Sequence, residues 1–211
     1  MRSRVTATER GQVAVGFISL FVLVLAALAI GYGITSAFAL RQEEDMLLQS
    51  AQEFVIAQAD YIKHARDGAG SLSASEGVGK IVSDYLGSTG ASGRVTIEVV
   101  EMPRSMTGNA DRIVGVRLAI SHPLTAGAFS YFGVDRFNVA SSRTFVVHPY
   151  SSQPLPEPPA WNAGAWWSSE STWRDGNLVE GTTASSDPSP YSSAPSEIVD
   201  AMEGALARTG I

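Results

Sequence analysis

The sequence predicts an α+β protein in which one long N-terminal helix packs on a small antiparallel sheet of about three strands and a mostly disordered tail follows. Three observations predict this fold. Residues 11–40 form an uncharged apolar run, three β-rich runs lie between residues 95 and 147, and prolines and serines dominate from residue 149 onward. The 211-residue chain contains no cysteine, so its fold holds by packing without disulfides, and thiolate chemistry is excluded.

The uncharged run is long enough to cross a bilayer as a helix. A helix of its length reaches about 45 Å, which exceeds the roughly 30 Å hydrocarbon core. Three arginines precede the run, whereas Arg41 after it is followed at once by an acidic cluster. The positive-inside rule therefore predicts a cytoplasmic leader at residues 1–12, a membrane helix at residues 13–40 and an extracytoplasmic remainder. The acidic cluster is interpreted as a solvated collar at the membrane surface and consists of Glu43, Glu44 and Asp45.

The helix is predicted to continue past the membrane as an amphipathic segment. Residues 41–66 contain no glycine or proline, and their apolar residues recur at helical spacing, as at Ala51 and Val55. A second, shorter helix is predicted at residues 71–86. Within it, the segment GVGK at residues 77–80 lacks the spacing of a phosphate loop and is interpreted as a helix irregularity.

Three strand-like runs follow the helices. Each is rich in β-branched residues or alternates apolar and polar ones, so one face of the sheet is expected to be buried and the other wet. The amphipathic helix is the expected cover of the buried face, which gives an extracytoplasmic α+β domain over residues 41–148. The strands are predicted at residues 95–102, 112–121 and 137–147.

Residues 149–211 are predicted to form an acidic tail without regular structure, apart from a short helix at residues 196–208. Eight of the ten prolines lie in this tail, and its 2 basic and 8 acidic residues account for the net charge of −6. Two interpretations of its aromatic residues stay open, because tryptophans either fold back on the sheet or bind a surface such as a glycan by stacking. The four residues concerned are Trp161, Trp166, Trp167 and Trp173.

No group of residues in the sequence predicts an enzyme. The three histidines, His64, His122 and His148, lack the spacing of a helical metal pair, and no nucleophile stands beside a base. The sequence therefore predicts no catalytic, cofactor-binding or metal-ligating residues. His122 and His148 each precede a proline and are interpreted as strand ends. The chain also lacks the basic stripe that phosphate backbones demand, which argues against nucleic acid as a partner.

Two segments carry a resemblance to a known family. The run RGQVAVGF at residues 10–17 and the run LQSAQE at residues 48–53 resemble the TadE/TadG-like proteins of Flp (tight adherence) pilus systems. The strand region ending in SSRT at residues 141–144 resembles the usual extracytoplasmic part of that family. The resemblance implies a type IV pilin-like minor pilin or pilus-assembly component, without enzymatic activity, whose helix packs against other pilins in membrane or filament.

The resemblance also implies a processing site. A prepilin-type peptidase would cut after Gly11 and leave Gln12 as the new N-terminus. Many members carry a glutamate at the fifth residue after the cut, which neutralises a neighbour's N-terminal amine, whereas this chain has Gly16 there and in this respect resembles the TadG-like branch, which often lacks that acid. Small residues in the span permit close helix packing. They are Ala26, Ala27, Ala29, Gly31 and Gly33.

Two localisations and two further function classes follow from these expectations. The chain is predicted to be a single-pass membrane protein with a cytoplasmic N-terminus, either kept in the lipid bilayer or incorporated in a surface pilus. An alternative is a secreted protein, since Ala37-Phe38-Ala39 fits a signal-peptide cleavage pattern, although the apolar run exceeds a typical signal sequence. A third class is a membrane-tethered cell-surface binding module that uses the tryptophan-rich tail.

Overall fold

A computed structural model of the chain describes residues 5–59, 73–107, 113–125, 136–147 and 163–209. Within these ranges the chain forms four α-helices, one short 3₁₀ helix and six strands. In chain order they are α1 (Val5–Ala57), α2 (Ala74–Thr89), β1 (Gly93–Glu101), α3 (Arg104–Thr107), β2 (Val114–Thr125), β3 (Arg136–Val147), β4 (Ala165–Arg174), β5 (Asn177–Gly181), β6 (Ser189–Pro190), the 3₁₀ helix (Tyr191–Ser193) and α4 (Ser196–Thr209).

The chain divides into two compact units. Unit 1 consists of Met1–Gln42 and Pro123–Val139, and unit 2 consists of Glu43–His122 and Ala140–Ile211. Helix α1 therefore contributes its N-terminal part to unit 1 and its C-terminal part to unit 2. The core described below belongs to unit 2.

The strands form one sheet with the order β3-β2-β1-β4-β5, and β6 pairs with β4. Strand β1 lies at its centre and pairs antiparallel with both β2 and β4. The prediction of a long helix with an antiparallel sheet is confirmed, and the first three strands lie close to their predicted positions. The predicted number of about three strands is wrong, because the sheet has six.

The additional strands come from the segment that was predicted to be a disordered tail. For residues 163–209 that prediction is wrong, while residues 149–162 lie outside the described ranges. Strand β4 buries every second residue. Two of those residues are serines, and serine in a sequence does not predict a strand. Burial is tolerated because these hydroxyls have polar neighbours; Trp173 Nε1, for instance, donates to Ser171 Oγ at 3.0 Å. The helix predicted at residues 196–208 is present as α4.

The main core lies between one face of the sheet and the two helices α1 and α2. Helix α1 supplies Leu48, Ala51 and Val55, which recur at the helical spacing of one face, while Gln49 and Glu53 stay exposed. Alternate residues of the strands meet these helices. The sheet and α2 residues of this cluster include Val78, Ile81, Val82, Leu86, Val95, Ile97, Val99, Val116, Leu118, Ile120, Trp167 and Trp173.

Helix α2 is capped at both ends. Ser73 and Glu76 form a capping box, in which the Glu76 N–H donates to Ser73 Oγ and the Ser73 N–H donates to the Glu76 carboxylate. Gly90 ends the helix with φ +69°. Residues 77–80, which the sequence interpretation treats as a helix irregularity, lie inside the continuous helix α2. Gly79 allows the backbone of Thr183 to cross α2 at a distance that a Cβ would block.

The opposite face of the sheet carries a second, smaller core. Ile198 and Met202 of α4 pack on Val100, Met102 and Ile113. Close approach of the helix requires Gly115, since a Cβ built there meets Ile198 and lies 2.6 Å from Met202 Sδ. Polar contacts add to this docking: the Thr144 hydroxyl donates to the Glu197 carboxylate at 2.7 Å.

Replacing Gly115 by alanine is expected to push α4 away from the sheet. Overpacking of this kind costs about 1–3 kcal/mol of unfolding free energy. The measurement is urea unfolding of the full chain in detergent micelles, followed by the fluorescence of the buried tryptophans. Gly204→Ala is the matched control, because it adds a Cβ on α4 with nothing within 4 Å and should stabilise the helix by up to about 1 kcal/mol. Equal effects of the two substitutions would contradict the close approach of α4.

Candidate functional site

The N-terminal part of α1 presents an apolar surface that the fold leaves uncovered. Ten large side chains between Val15 and Leu28 are 46–73% exposed. Within the described residues, one helix is long and apolar enough to cross a membrane; it lies near the N-terminus, and a signal sequence has the same properties. The ten exposed apolar side chains of this surface are Val15, Phe17, Ile18, Leu20, Phe21, Val22, Leu23, Val24, Leu25 and Leu28.

The small residues predicted to pack against other helices lie on this same segment. Ala26, Ala27, Ala29 and Gly31 are exposed, and Gly33 is half-buried. Gly16 and Gly31 have open space where a Cβ would lie. Gly11 and Gln12 fall within α1, and the structure does not describe their side chains.

A buried polar cluster lies where α1 enters unit 2. Glu44 is only 2% exposed, whereas Glu43 and Asp45 beside it are exposed. The predicted solvated collar is therefore wrong for Glu44. The reason is helical geometry, because consecutive residues point in different directions and Glu44 lies one turn before Leu48, on the buried face.

Glu44 pairs with a histidine from the sheet. His122 Nδ1 lies 2.8 Å from Glu44 Oε1, although 78 residues separate the two in the chain. The ring of His122 occupies the space over Gly93, where a Cβ would lie 2.6 Å from Cε1. His122 was interpreted as a strand end, and it does lie close to the end of β2, but its side chain is part of this cluster. The extension of the Leu48, Ala51, Val55 stripe back to Glu44 is the sequence signal that could have found the pair.

Burial dominates the electrostatics of the cluster. It raises the pKa of Glu44 above its ordinary value, while the neighbouring His122 and Ser141 side chains partly offset this and the Asp45 charge adds to it. Within the described residues, Glu44 Oε2 and Ser141 Oγ have no hydrogen-bond partner at ordinary geometry. The carboxyl group of Glu44 is thus the centre of the cluster, and of its two oxygens Oε1 is paired with His122.

The cluster does not pair a serine with a base. The imidazole of His122 contacts the Glu44 carboxyl through Nδ1, while within the described residues Ser141 Oγ has no hydrogen-bond partner, whereas a serine nucleophile needs a base at hydrogen-bond distance. Among the described residues, no group of three histidine or carboxylate side chains is placed to hold a metal ion.

The structure separates the tryptophans that were considered for surface binding. Trp167 and Trp173 are 3% and 4% exposed and lie in the main core. Trp166 is half-buried against the second core, and Trp161 lies outside the described residues. The rings of Trp167 and Trp173 therefore offer no exposed face on which a glycan could stack, and folding back on the sheet is the interpretation that fits these two residues.

Comparison of the chain with protein-family models, with curated proteins and with solved structures found no match. The resemblance to the TadE/TadG-like proteins therefore stays a prediction from the sequence segments quoted above.

Replacing Gly93 by alanine is expected to disrupt the buried pair. Gly93 has φ +124°, and its missing Cβ is the space that the His122 ring fills. Backbone strain and overpacking together should lower the free energy of unfolding by about 1–3 kcal/mol, measured by urea unfolding. Gly87→Ala is the control, since a Cβ there makes only an ordinary contact at 3.6 Å. A loss no larger than that of the control would show that the ring does not depend on this space.

Proposed function

We propose that this protein is a non-enzymatic membrane-anchored component of a Flp (tight adherence) type pilus system, acting either as a minor pilin or as an assembly component. One observation carries the proposal: a single helix is uncovered and apolar in its N-terminal part and is built into a domain core by its C-terminal part. This is the arrangement by which a pilin-like helix anchors a folded domain in a membrane or filament.

The free energy of removing this apolar surface from water favours an apolar environment around it. Removing ten half-exposed apolar side chains from water contributes on the order of 10 kcal/mol. That is comparable with the whole unfolding free energy of a typical domain. Lipid or neighbouring helices can both supply this cover, because a helix satisfies its own backbone polar groups in either environment.

The proposed orientation of the chain across the membrane and its proposed partners rest on the sequence. The basic leader favours a cytoplasmic N-terminus, so the domain would lie outside. The exposed Ala26, Ala27, Ala29 and Gly31 favour close contact with helices of other pilins or pilus-assembly proteins. Processing by a prepilin-type peptidase would occur between Gly11 and Gln12, and Gly16 would leave the chain without the acid that many pilins use in assembly.

A secreted or surface-tethered binding module is the second candidate. One observation favours secretion, because cleavage after Ala39 would remove the uncovered part of α1 and leave the core residues Leu48, Ala51 and Val55 in place. Binding through the tryptophan-rich tail is less favoured, since Trp167 and Trp173 are core residues. Deleting residues 149–211 cannot test binding, because it removes β4 from the middle of the sheet.

The mature N-terminus distinguishes these candidates. We expect mass spectrometry of membrane and cell-surface fractions from the native host to find the chain starting at Gln12 or at the intact leader, and to find it retained in membranes after alkaline carbonate extraction. A chain starting at Leu40 in the soluble fraction would overturn the anchored pilin-like proposal in favour of a secreted protein.

Helix packing can be tested separately because the chain has no cysteine of its own. A single cysteine placed by Ala27→Cys and labelled with a photoreactive maleimide is expected to cross-link to a protein partner in native membranes. Leu25→Cys is the control, because Leu25 lies about 200° from Ala27 around the helix, away from the side that carries Ala27 and Gly31. Equal cross-linking at the two positions, or cross-linking only to lipid at both, would contradict packing through the side that carries Ala27 and Gly31.

A further inference from the structure

The Glu44 cluster brings together three elements of unit 2. Glu44 lies on α1, His122 on β2 and Ser141 on β3. The contact between Glu44 and His122 therefore joins a helix to the sheet on which it packs.

The charge state of the pair depends on one proton. With a neutral imidazole and an ionised carboxyl group, the pair holds one net negative charge at a position that is 2% exposed. One further proton makes the pair neutral overall, whether it forms an imidazolium–carboxylate ion pair or an imidazole–carboxylic acid pair. The His122 side chain is 25% exposed, which gives this proton a route from solvent.

Few other groups act on the carboxyl. Helix α1 contributes the negative charge of Asp45, β2 contributes His122, and β3 contributes the uncharged hydroxyl of Ser141. Strand β1 contributes Gly93, which has no side chain and lies under the His122 ring. Within the described residues, these neighbours leave His122 as the group that can compensate the buried charge.

We propose that Glu44 and His122 form a one-proton latch between α1 and β2, which tightens when the pair takes up a proton as the pH falls. Loss of that proton leaves a buried, incompletely compensated negative charge and weakens the contact. The latch regulates the stability of unit 2 and does not depend on the pilus proposal, because it needs neither a membrane nor a partner.

The sign of the effect follows from proton linkage. Burial raises the pKa of Glu44 in the folded protein above the ordinary value of 4.5 that applies to the unfolded chain. The folded state therefore binds a proton at a higher pH than the unfolded state does. Stability rises as the pH falls through the folded pKa, and this gain is absent at higher pH.

The test compares urea unfolding of the full chain in detergent micelles from pH 8 down to pH 4.5, the ordinary pKa of a glutamate. For wild type, the unfolding constant is expected to fall on acidification, with one proton setting a limit of about tenfold per pH unit. Glu44→Gln should remove this component, since glutamine does not titrate. Glu53→Gln, at an exposed position of the same helix, should keep it, and every titratable group other than Glu44 and Glu53 is common to all three proteins. Identical pH profiles of wild type and Glu44→Gln would overturn the proposal.

A direct titration covers the case in which Glu44→Gln does not fold. NMR of the wild type labelled with ¹³C at glutamate carboxyl groups is expected to show one carboxyl that titrates above 4.5 and whose titration moves in His122→Gln. Assignment of that signal to another glutamate, or a Glu44 carboxyl unaffected by His122→Gln, would overturn the latch.

Discussion

The packing of Leu48, Ala51 and Val55 of α1 on the buried face of the sheet is the contact on which the other features of this protein depend. It requires the helix to present an apolar stripe at this level, while the same uninterrupted helix is apolar on all sides further toward its N-terminus. A break between these two parts would separate the domain from its apolar segment.

The C-terminal third of the chain completes the core rather than extending from it. Strand β4 lies next to the central strand β1, the segment around Thr183 crosses α2 over Gly79, and α4 covers the other face of the sheet over Gly115. The crossing at Thr183 and the packing of α4 each use a glycine at which a side chain would collide. Since β1 and β4 are distant in sequence, their pairing must overcome a large loop-closure entropy, which is typical of slow folding.

The buried pair Glu44–His122 shows how a polar group can be retained in such a core. An acid on the buried side of a helix costs stability unless it is hydrogen-bonded, and here a single imidazole provides one bond at 2.8 Å. The remaining oxygen is left without an ordinary hydrogen bond among the described residues. This incomplete compensation makes the site sensitive to a proton, whereas the exposed neighbours Glu43 and Asp45 are screened by water.

Local patterns in the sequence determined the apolar N-terminal helix, the helical stripe that follows it, the first three strands and the final helix, because these depend on residue spacing and charge within short segments. Only the tertiary structure decided that β4 completes the sheet, that Trp167 and Trp173 are core residues, and that Glu44 is buried beside His122. The physical reason is that these buried polar groups bond to partners distant in the chain, as Ser169 Oγ does to the Ile97 carbonyl and Glu44 does to His122. A one-dimensional pattern contains no record of those partners.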